Sequence, residues 1–424
     1  MNRVPTGTGP GLAGRIECAR QARRRVLDGR STDDIAQALS EAAAMWRPRD
    51  TKLRRDLIPR LSRSLDLAEA MLETAIDNIF SPLDPAGIQS LLASQTTGAK
   101  GLLGPELVFH RLAGNVPGQA IPALVCSLLT RSVCLLRESE RQPLLTEAFV
   151  ATLASRDADL AQMVVTASWP AEDEASDALV AGIAGADGRI ELYGSDRTLA
   201  GLAADGGAFG GCAATLHGSR QSLAYVATGH TPAGELAEDI AMYEGQGCLS
   251  PHHIIVEGDA EAARGLAGLL GAALDDLEQR WPRRRRDLAT ETRRRAFIAE
   301  REVLSANGKA PDDMPGPDQT WYIAVDTGRP DRLRPGPGSR VVTIVAGGET
   351  AAALELCRHT AEPLAGAALA AGGPRRERLA TELTAAGATL VCRPGLLQAP
   401  PLDWRQDGHG RLAELLLSKK GRAA

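Results

Sequence analysis

The segment Glu244-Gly245-Gln246-Gly247-Cys248-Leu249-Ser250-Pro251 holds the residue types best suited to chemistry. Two glycines bracket Gln246 just ahead of a cysteine. Glycine reaches positive φ and lets a reactant come close to the backbone, so the thiol is expected to be accessible. A nucleophilic Cys also needs a lowered pKa and nearby oxyanion donors. Cys126 and Cys134, by contrast, sit in apolar runs and read as core. His252 and His253 follow closely but open a strand, where successive side chains point to opposite faces, and neither is assigned as the base. A metal site on Cys248, His252 and His253 lacks the paired-ligand spacing of zinc sites, so no metal is expected.

A second segment, Leu112-Ala113-Gly114-Asn115-Val116-Pro117-Gly118, sets an amide side chain between Gly and Pro at an expected strand end. Asn115 either aims its NH₂ at a developing oxyanion or forms a turn ahead of a helix opening at Gln119. A third, Arg189-Ile190-Glu191-Leu192-Tyr193-Gly194-Ser195-Asp196, reads as a strand running into Gly194 and Ser195 at a helix start. Such strand ends are where α/β sheets bind phosphates and cofactors, although there is no G-x-G-x-x-G here. Leu135-Leu136-Arg137-Glu138-Ser139-Glu140 is a similar exit, whose Arg137 and Ser139 offer a cation and a hydroxyl to a ribose or phosphate.

The elements that must position these groups are legible in outline. Residues 33–79 read as helices, with Leu61, Leu65, Ala68, Leu72 and Ile76 on one stripe. Ser31 and Thr32 ahead of Asp33 and Asp34 mark a helix start, with acids at the positive end of the dipole. Gly/Pro breaks at 82–87 and 98–105 set this region off. From about residue 106, strands expected at 133–136, 189–193, 223–228, 253–256, 321–325, 340–345 and 389–391 alternate with helices at 144–153, 196–203 and 350–360. That alternation implies an α/β fold with mainly parallel sheets. A Pro/Gly/Asp-rich excursion over 307–338 is a domain linker or a substrate-side loop.

Composition narrows the function classes. A chain of 424 residues calls for two or three domains. Its residues are 44% hydrophobic but only 3% aromatic, so the cores must be built from Ala, Leu, Val and Ile. A net charge of −5 argues against nucleic acid as a partner. The dense basic clusters, 283–286 and 293–295, are interleaved with acids and read as a solvated helix face. Seven scattered cysteines without a CxxC pair point to a reducing compartment, hence to a cytoplasmic location. Residues 1–14 lack the apolar core of a signal peptide. No stretch reaches the roughly 18 apolar residues of a membrane span, the best being the short run at 121–129.

Taken together and in order, these residues resemble the LuxC-type acyl-CoA reductases. That family belongs to the aldehyde dehydrogenase superfamily and supplies the aldehyde for bacterial luminescence. Ala43-Ala44-Met45-Trp46-Arg47-Pro48, with Arg54 and Leu61, is similar to its helical lead-in. Residues 112–118 are similar to its AGNVPG element, and Tyr193-Gly194-Ser195-Asp196 to its YGSD strand exit. Glu238-Asp239, Tyr243 and Gln246-Gly247-Cys248-Leu249-Ser250-Pro251 resemble its most specific signature. Pro401-Leu402-Asp403-Trp404-Arg405-Gln406-Asp407-Gly408 resembles its carboxy-terminal element.

The resemblance implies an α/β, aldehyde-dehydrogenase-like fold. A helical amino-terminal region (1–100) would precede a Rossmann-type nucleotide-binding domain (101–235, completed by about 400–424). An α/β catalytic domain (236–400) would carry the Cys248 loop. It implies Cys248 as nucleophile and Asn115 as oxyanion donor. Gly194 and Ser195 would lie beside the nicotinamide, with Arg137 and Ser139 on the cofactor ribose or phosphate. An Arg where the superfamily has Lys keeps the charge but changes the geometry; NADPH is expected, with NADH as the alternative. The implied activity is reduction of an acyl thioester, on CoA or an acyl carrier, to an aldehyde through acyl-Cys248. A homo-oligomer is implied, with an acyl-activating or acyl-transfer protein as a partner.

Two departures bear on this. Hydrolytic aldehyde dehydrogenases carry a general-base Glu before a Gly-Gly pair, where this chain reads Leu216-His217-Gly218-Ser219. No Glu aligns, in keeping with a reaction that activates no water. The family's Gly-His-Arg reads Gly218-Ser219-Arg220, so that imidazole is absent or supplied by His217. A Cys248-dependent acyltransferase and a non-catalytic scaffold therefore stay open, and NAD(P)H binding separates the reductase from both.

Overall fold

The computed structural model describes residues 10–96, 102–114, 116–139, 143–284, 287–310, 312–328 and 330–416. They form two compact units. The first takes the chain up to Leu65, Glu73–Gly218 and the segment from Pro401; the second takes Asp66–Leu72 and Ser219–Pro400.

The first unit opens on the helices Pro10–Gly29, Thr32–Ala44 and Lys52–Leu65. Ser31 closes a capping box: its hydroxyl accepts from the Asp34 N–H, and the Asp34 carboxylate accepts from the Ser31 N–H. The stripe expected over 61–76 is buried throughout but is not one helix. The chain breaks at Asp66, φ 54°, before the helix Glu69–Phe80 begins. Arg54, fully buried, donates to the Trp46 and Arg47 carbonyls and to the carboxylates of Glu73 and Asp77. Trp46 stacks on Phe80 at 5.1 Å. The lead-in thus has its own buried cation, but it shares its apolar core with the α/β region that follows: Leu12 and Ile16 cluster with Phe109 and Leu135, and Phe80 lies 5.4 Å from Phe149.

Five strands follow in this unit: β1 (Leu107–Arg111), β2 (Val133–Arg137), β3 (Val164–Ala167), β4 (Arg189–Tyr193) and β5 (Ala213–His217). Their order is β3-β2-β1-β4-β5, all parallel. The apolar run at 121–129 is the buried crossover helix Ala120–Leu129 between β1 and β2. Among the described residues no helix is long and apolar enough to cross a membrane. Phe109, Leu135, Ile190 and Leu192 pack with Trp169 and Phe209 on one face of the sheet. The strand order reverses between β1 and β4, and ligands bind such sheets at the carboxyl ends of the strands at that switch point.

The second unit contains β6 (Gln221–Val226), β7 (Pro251–Glu257), β8 (Met314–Pro315), β9 (Tyr322–Asp326), β10 (Val341–Gly348), β11 (Leu364–Ala370) and β12 (Leu390–Cys392). They are ordered β12-β11-β6-β7-β10-β9-β8, parallel except for β8, which runs antiparallel to β9. Strand β6, which a division at 235/236 assigns to the nucleotide-binding domain, pairs instead between β11 and β7. The units therefore part between Gly218 and Ser219. A short hairpin, β13 (Arg405–Gln406) with β14 (His409–Gly410), returns to the first unit.

The basic cluster is only partly a solvated face: Arg284, Arg293 and Arg295 are exposed, but Arg283 and Arg294 are drawn inward. Arg294 is only 3% exposed and donates to the Ser339 and Gln319 carbonyls. Arg283 pairs with Glu291 at 2.5 Å. Arg285 and Arg286 lie outside the described residues.

Candidate active site

The helix Ala233–Ala241 delivers the chain into the cysteine loop. Buried Asp239 pins this helix, its carboxylate accepting from the Gly395 and Leu397 N–H groups at 2.7 and 3.0 Å. The backbone then turns left-handed at three consecutive residues, Tyr243 (φ 55°), Glu244 (φ 55°) and Gly245 (φ 65°). Non-glycine residues adopt that region at a cost of about 1–2 kcal/mol each, and such strain persists only where the surroundings enforce it. On the far side, the Ser222 hydroxyl donates to the Cys248 carbonyl at 2.9 Å and accepts from the Gly366 N–H at 3.1 Å. Gln398 donates to the Ser250 hydroxyl at 3.1 Å. A Cβ on Gly247 would lie 2.9 Å from the Gln398 amide oxygen, so a side chain here would displace Gln398.

Cys248 is exposed while its neighbours Gly247 and Leu249 are buried. Cys126 and Cys134 are buried, as expected, and so is Cys357; burial pushes all three thiols up to about 12. Burial lowers His252 to about 4 and His253 to about 3, so both are neutral at pH 7. Among the described residues no cluster of His, Cys, Asp or Glu is placed to hold a metal.

The residues expected to hold a cofactor, Gly194, Ser195, Arg137 and Ser139, lie in the first unit, at the carboxyl edge of its sheet. β1 exits through Leu112 to Gly114, β2 through Glu138 and Ser139, and β4 through Gly194 and Ser195. Because β1 lies between β2 and β4, these exits are neighbours at the switch point. Asn115 lies outside the described residues. A Cβ on Gly114 would fall 2.7 Å from the Ser139 side chain, so glycine alone lets the two exits meet. Ser195 is exposed and caps the helix Asp196–Ala203 by accepting from the Thr198 N–H at 3.2 Å. The Gly194 N–H donates to the His217 carbonyl at 3.2 Å.

Arg137 is largely buried and donates one terminal nitrogen to the Trp169 carbonyl at 2.6 Å. Burial and the neighbouring Arg111 lower its pKa. Its Nε is buried without a partner among the described residues. Beside it, burial raises Glu138 to about 8; one carboxyl oxygen accepts from Thr146 at 2.9 Å and the other has no described partner. Unsatisfied buried groups at a strand exit fit a polar ligand such as a ribose or phosphate.

His217, at the end of β5, is not a spare base. Its Nδ1 donates to Asp407 at 3.0 Å and its Nε2 to Glu191 at 3.1 Å, with the ring stacked on Tyr193 at 4.2 Å. Burial opposes its charge, but the hydrogen bonds to Asp407 and Glu191 overcome this and hold its pKa above the ordinary value. Both ring nitrogens are therefore engaged by carboxylates. Arg189 joins the same network through Glu191 and Glu414 at 3.1 and 2.8 Å. Sequence reading missed Glu191 and Asp407; the charges inside the apolar strand 189–193 were the available signal.

The family description "Acyl-CoA reductase (LuxC)" matches residues 28–418. Among curated proteins none matches the sequence. A putative aldehyde dehydrogenase from Burkholderia cenocepacia is similar in structure, with a TM-score of 0.72 at 14% identity, over 98% of this chain and 92% of that one. Aldehyde dehydrogenase 21 from Physcomitrella patens, in complex with the reaction product succinate, gives 0.70 at 12% identity, over 97% and 89%. Succinic semialdehyde dehydrogenase from Streptococcus pyogenes, in complex with NADP⁺, gives 0.69 at 13% identity, over 98% and 95%. At these identities the likeness shows the fold, which is that of the aldehyde dehydrogenases.

Proposed function

The chain belongs to the LuxC acyl-CoA reductase family, and on that premise we propose that it reduces an acyl thioester to an aldehyde through an acyl group held on Cys248. The observation that carries this reading is an exposed thiol on a loop of enforced left-handed backbone, against the buried thiols of Cys126, Cys134 and Cys357.

In this reading the Cys248 thiolate attacks the carbonyl carbon of an acyl-CoA or acyl-carrier thioester. Charge moves onto the carbonyl oxygen, where Asn115 and the Cys248 backbone N–H are assigned as donors. Collapse expels the first thiolate and leaves acyl-Cys248. Gly194, Ser195, Arg137 and Ser139 would hold a nicotinamide cofactor at the carboxyl edge of the five-stranded sheet, NADPH in preference to NADH. When bound in reduced form, that cofactor would supply the hydride that turns the thioester carbonyl into the oxyanion of a hemithioacetal. That oxyanion re-forms a carbonyl as the C–S bond breaks, releasing aldehyde and returning Cys248 as the thiolate. Because both His217 nitrogens are occupied, no side chain is assigned to activate water at residues 216–220, and acyl-Cys248 waits for hydride.

The test is aldehyde release from a panel of acyl thioesters with each nicotinamide cofactor. Aldehyde formed in step with NADPH oxidation is expected. Thioester exchange without cofactor binding would favour the acyltransferase, and inertness towards every thioester would favour the scaffold.

A further inference from the structure

We propose that Arg340 and Glu244 are positioning residues for Cys248, a buried guanidinium–carboxylate clamp that fixes the backbone of the nucleophile loop. The inference rests on the reading of Cys248 as the nucleophile and names what holds it.

Glu244 stands four residues before Cys248, in the middle of the left-handed run. A second left-handed run, Gly338 (φ 68°), Ser339 (φ 56°) and Arg340 (φ 59°), lies against it at the entry to β10. The two runs touch without spare room. A Cβ on Gly338 would sit 2.6 Å from the Gly245 carbonyl oxygen, and one on Gly245 would sit 3.2 Å from the Ser339 nitrogen. The Ser339 N–H donates to the Glu244 carbonyl at 2.8 Å.

The side chains complete the lock. Arg340 donates Nε to one Glu244 oxygen at 3.0 Å and a terminal nitrogen to the other at 2.9 Å, a two-point pairing. Its remaining donors go to Glu278 at 2.5 Å and to the Trp281 carbonyl at 2.7 Å. Glu244 also accepts from the Arg284 N–H at 3.3 Å, and Arg294 holds the Ser339 carbonyl at 3.2 Å. Arg340 is 1% exposed and Glu244 is fully buried. Burying such a pair adds little stability over an apolar replacement of the same volume. What it supplies here is direction: a planar two-point contact fixes the residue that begins the turn to Cys248. The role also explains the end of the 307–338 excursion, which serves as the rear support of the loop.

The test uses Arg340→Lys, which keeps the charge but loses the two-point contact, and Glu244→Gln, which keeps the shape. In both, turnover is expected to fall about 100-fold, the scale of a small misplacement of a reacting group, with KM changed by less than about threefold. Hydrogen exchange at 243–250 and 338–340 is expected to quicken by about tenfold or more. Buried Cys357 should stay unreactive towards an alkylating agent, which certifies the fold. Wild-type turnover in either variant overturns the proposal, as does a loss of turnover with unchanged loop exchange. Alkylation of Cys357 in both variants would make the pair a folding element and also overturn it. If the wild-type protein reduces no thioester, the functional reading fails; the clamp is then judged on exchange alone.

Discussion

The cysteine loop and the carboxyl edge of the five-stranded sheet both keep charge away from water, but with different chemistry. In the loop, the cation is the guanidinium of Arg340, which has every side-chain nitrogen committed. At the edge, the cation between Glu191 and Asp407 is His217, whose charge depends on pH. The residues assigned to a cofactor there, Gly194 and Ser195, are held by a main-chain bond and a helix cap. The Cys248 loop is thus built on a two-point guanidinium–carboxylate pair whose nitrogens are all engaged. The carboxyl edge of the sheet, with the hairpin β13–β14 that carries Asp407, is tied together by a group that titrates.

The comparison breaks first at Cys248. Cys248→Ala is expected to abolish acyl transfer to the protein and aldehyde formation, while Cys126→Ala and Cys134→Ala leave both intact. Intact-mass detection of an acyl adduct on the Cys248→Ala protein would remove the loop from the chemistry. Asn115→Ala should lower turnover by about 100- to 1,000-fold, the range for one lost oxyanion donor, with a smaller change in KM. A loss confined to KM would return Asn115 to a turn role.

Two further variants sharpen the edge side of the comparison through stability. His217→Gln should cost about 3 kcal/mol at pH 6, the scale of breaking a buried charge network. The folded imidazole titrates above its ordinary value. Its contribution is therefore whole below about pH 6.5 and is lost as pH rises through the folded value. Thermal unfolding of both proteins across pH reads this, and a gap that stays constant into the alkaline range would contradict it. Glu138→Gln should give the smallest effect and the opposite sign. Folded Glu138 is raised to about 8 by burial, so the wild-type protein loses stability as pH climbs from the ordinary carboxylate range towards 8. The variant should unfold about 2–4 °C higher at pH 8 with little gain at pH 5, and equal midpoints at both pH values would contradict the account.

Much of the framework was legible because local chemistry agreed with the fold. Strand 189–193 and helix 196–203 stand where the sequence puts them, since a β-favouring run meets a Ser cap. The cysteine loop was visible through its glycines, and the family resemblance through five ordered motifs. Strand β11, Leu-Ala-Gly-Ala-Ala-Leu-Ala, was not: its small residues carry neither alternation nor β preference, and its burial on every residue is a tertiary fact. Strand β1 was hidden by His110 and Arg111, both buried, with His110 bonded to Ser127 and Arg111 to Asp177. The Arg340–Glu244 pair spans 96 residues of sequence, which no local pattern reports. The Arg-rich cluster misled because charge pattern alone does not separate a solvated face from buried clamps such as Arg294.

The most direct measurement loads the protein with a labelled acyl thioester in the absence of cofactor, then follows the label. With no side chain assigned to activate water, general-base help worth roughly 100- to 10,000-fold is missing, and the acyl group should remain on Cys248. Adding NADPH should discharge it promptly as aldehyde, and adding a thiol should return it as a new thioester. Rapid release of free carboxylic acid before any cofactor is added, or label on the Cys248→Ala protein, would contradict the thioester-reductase account.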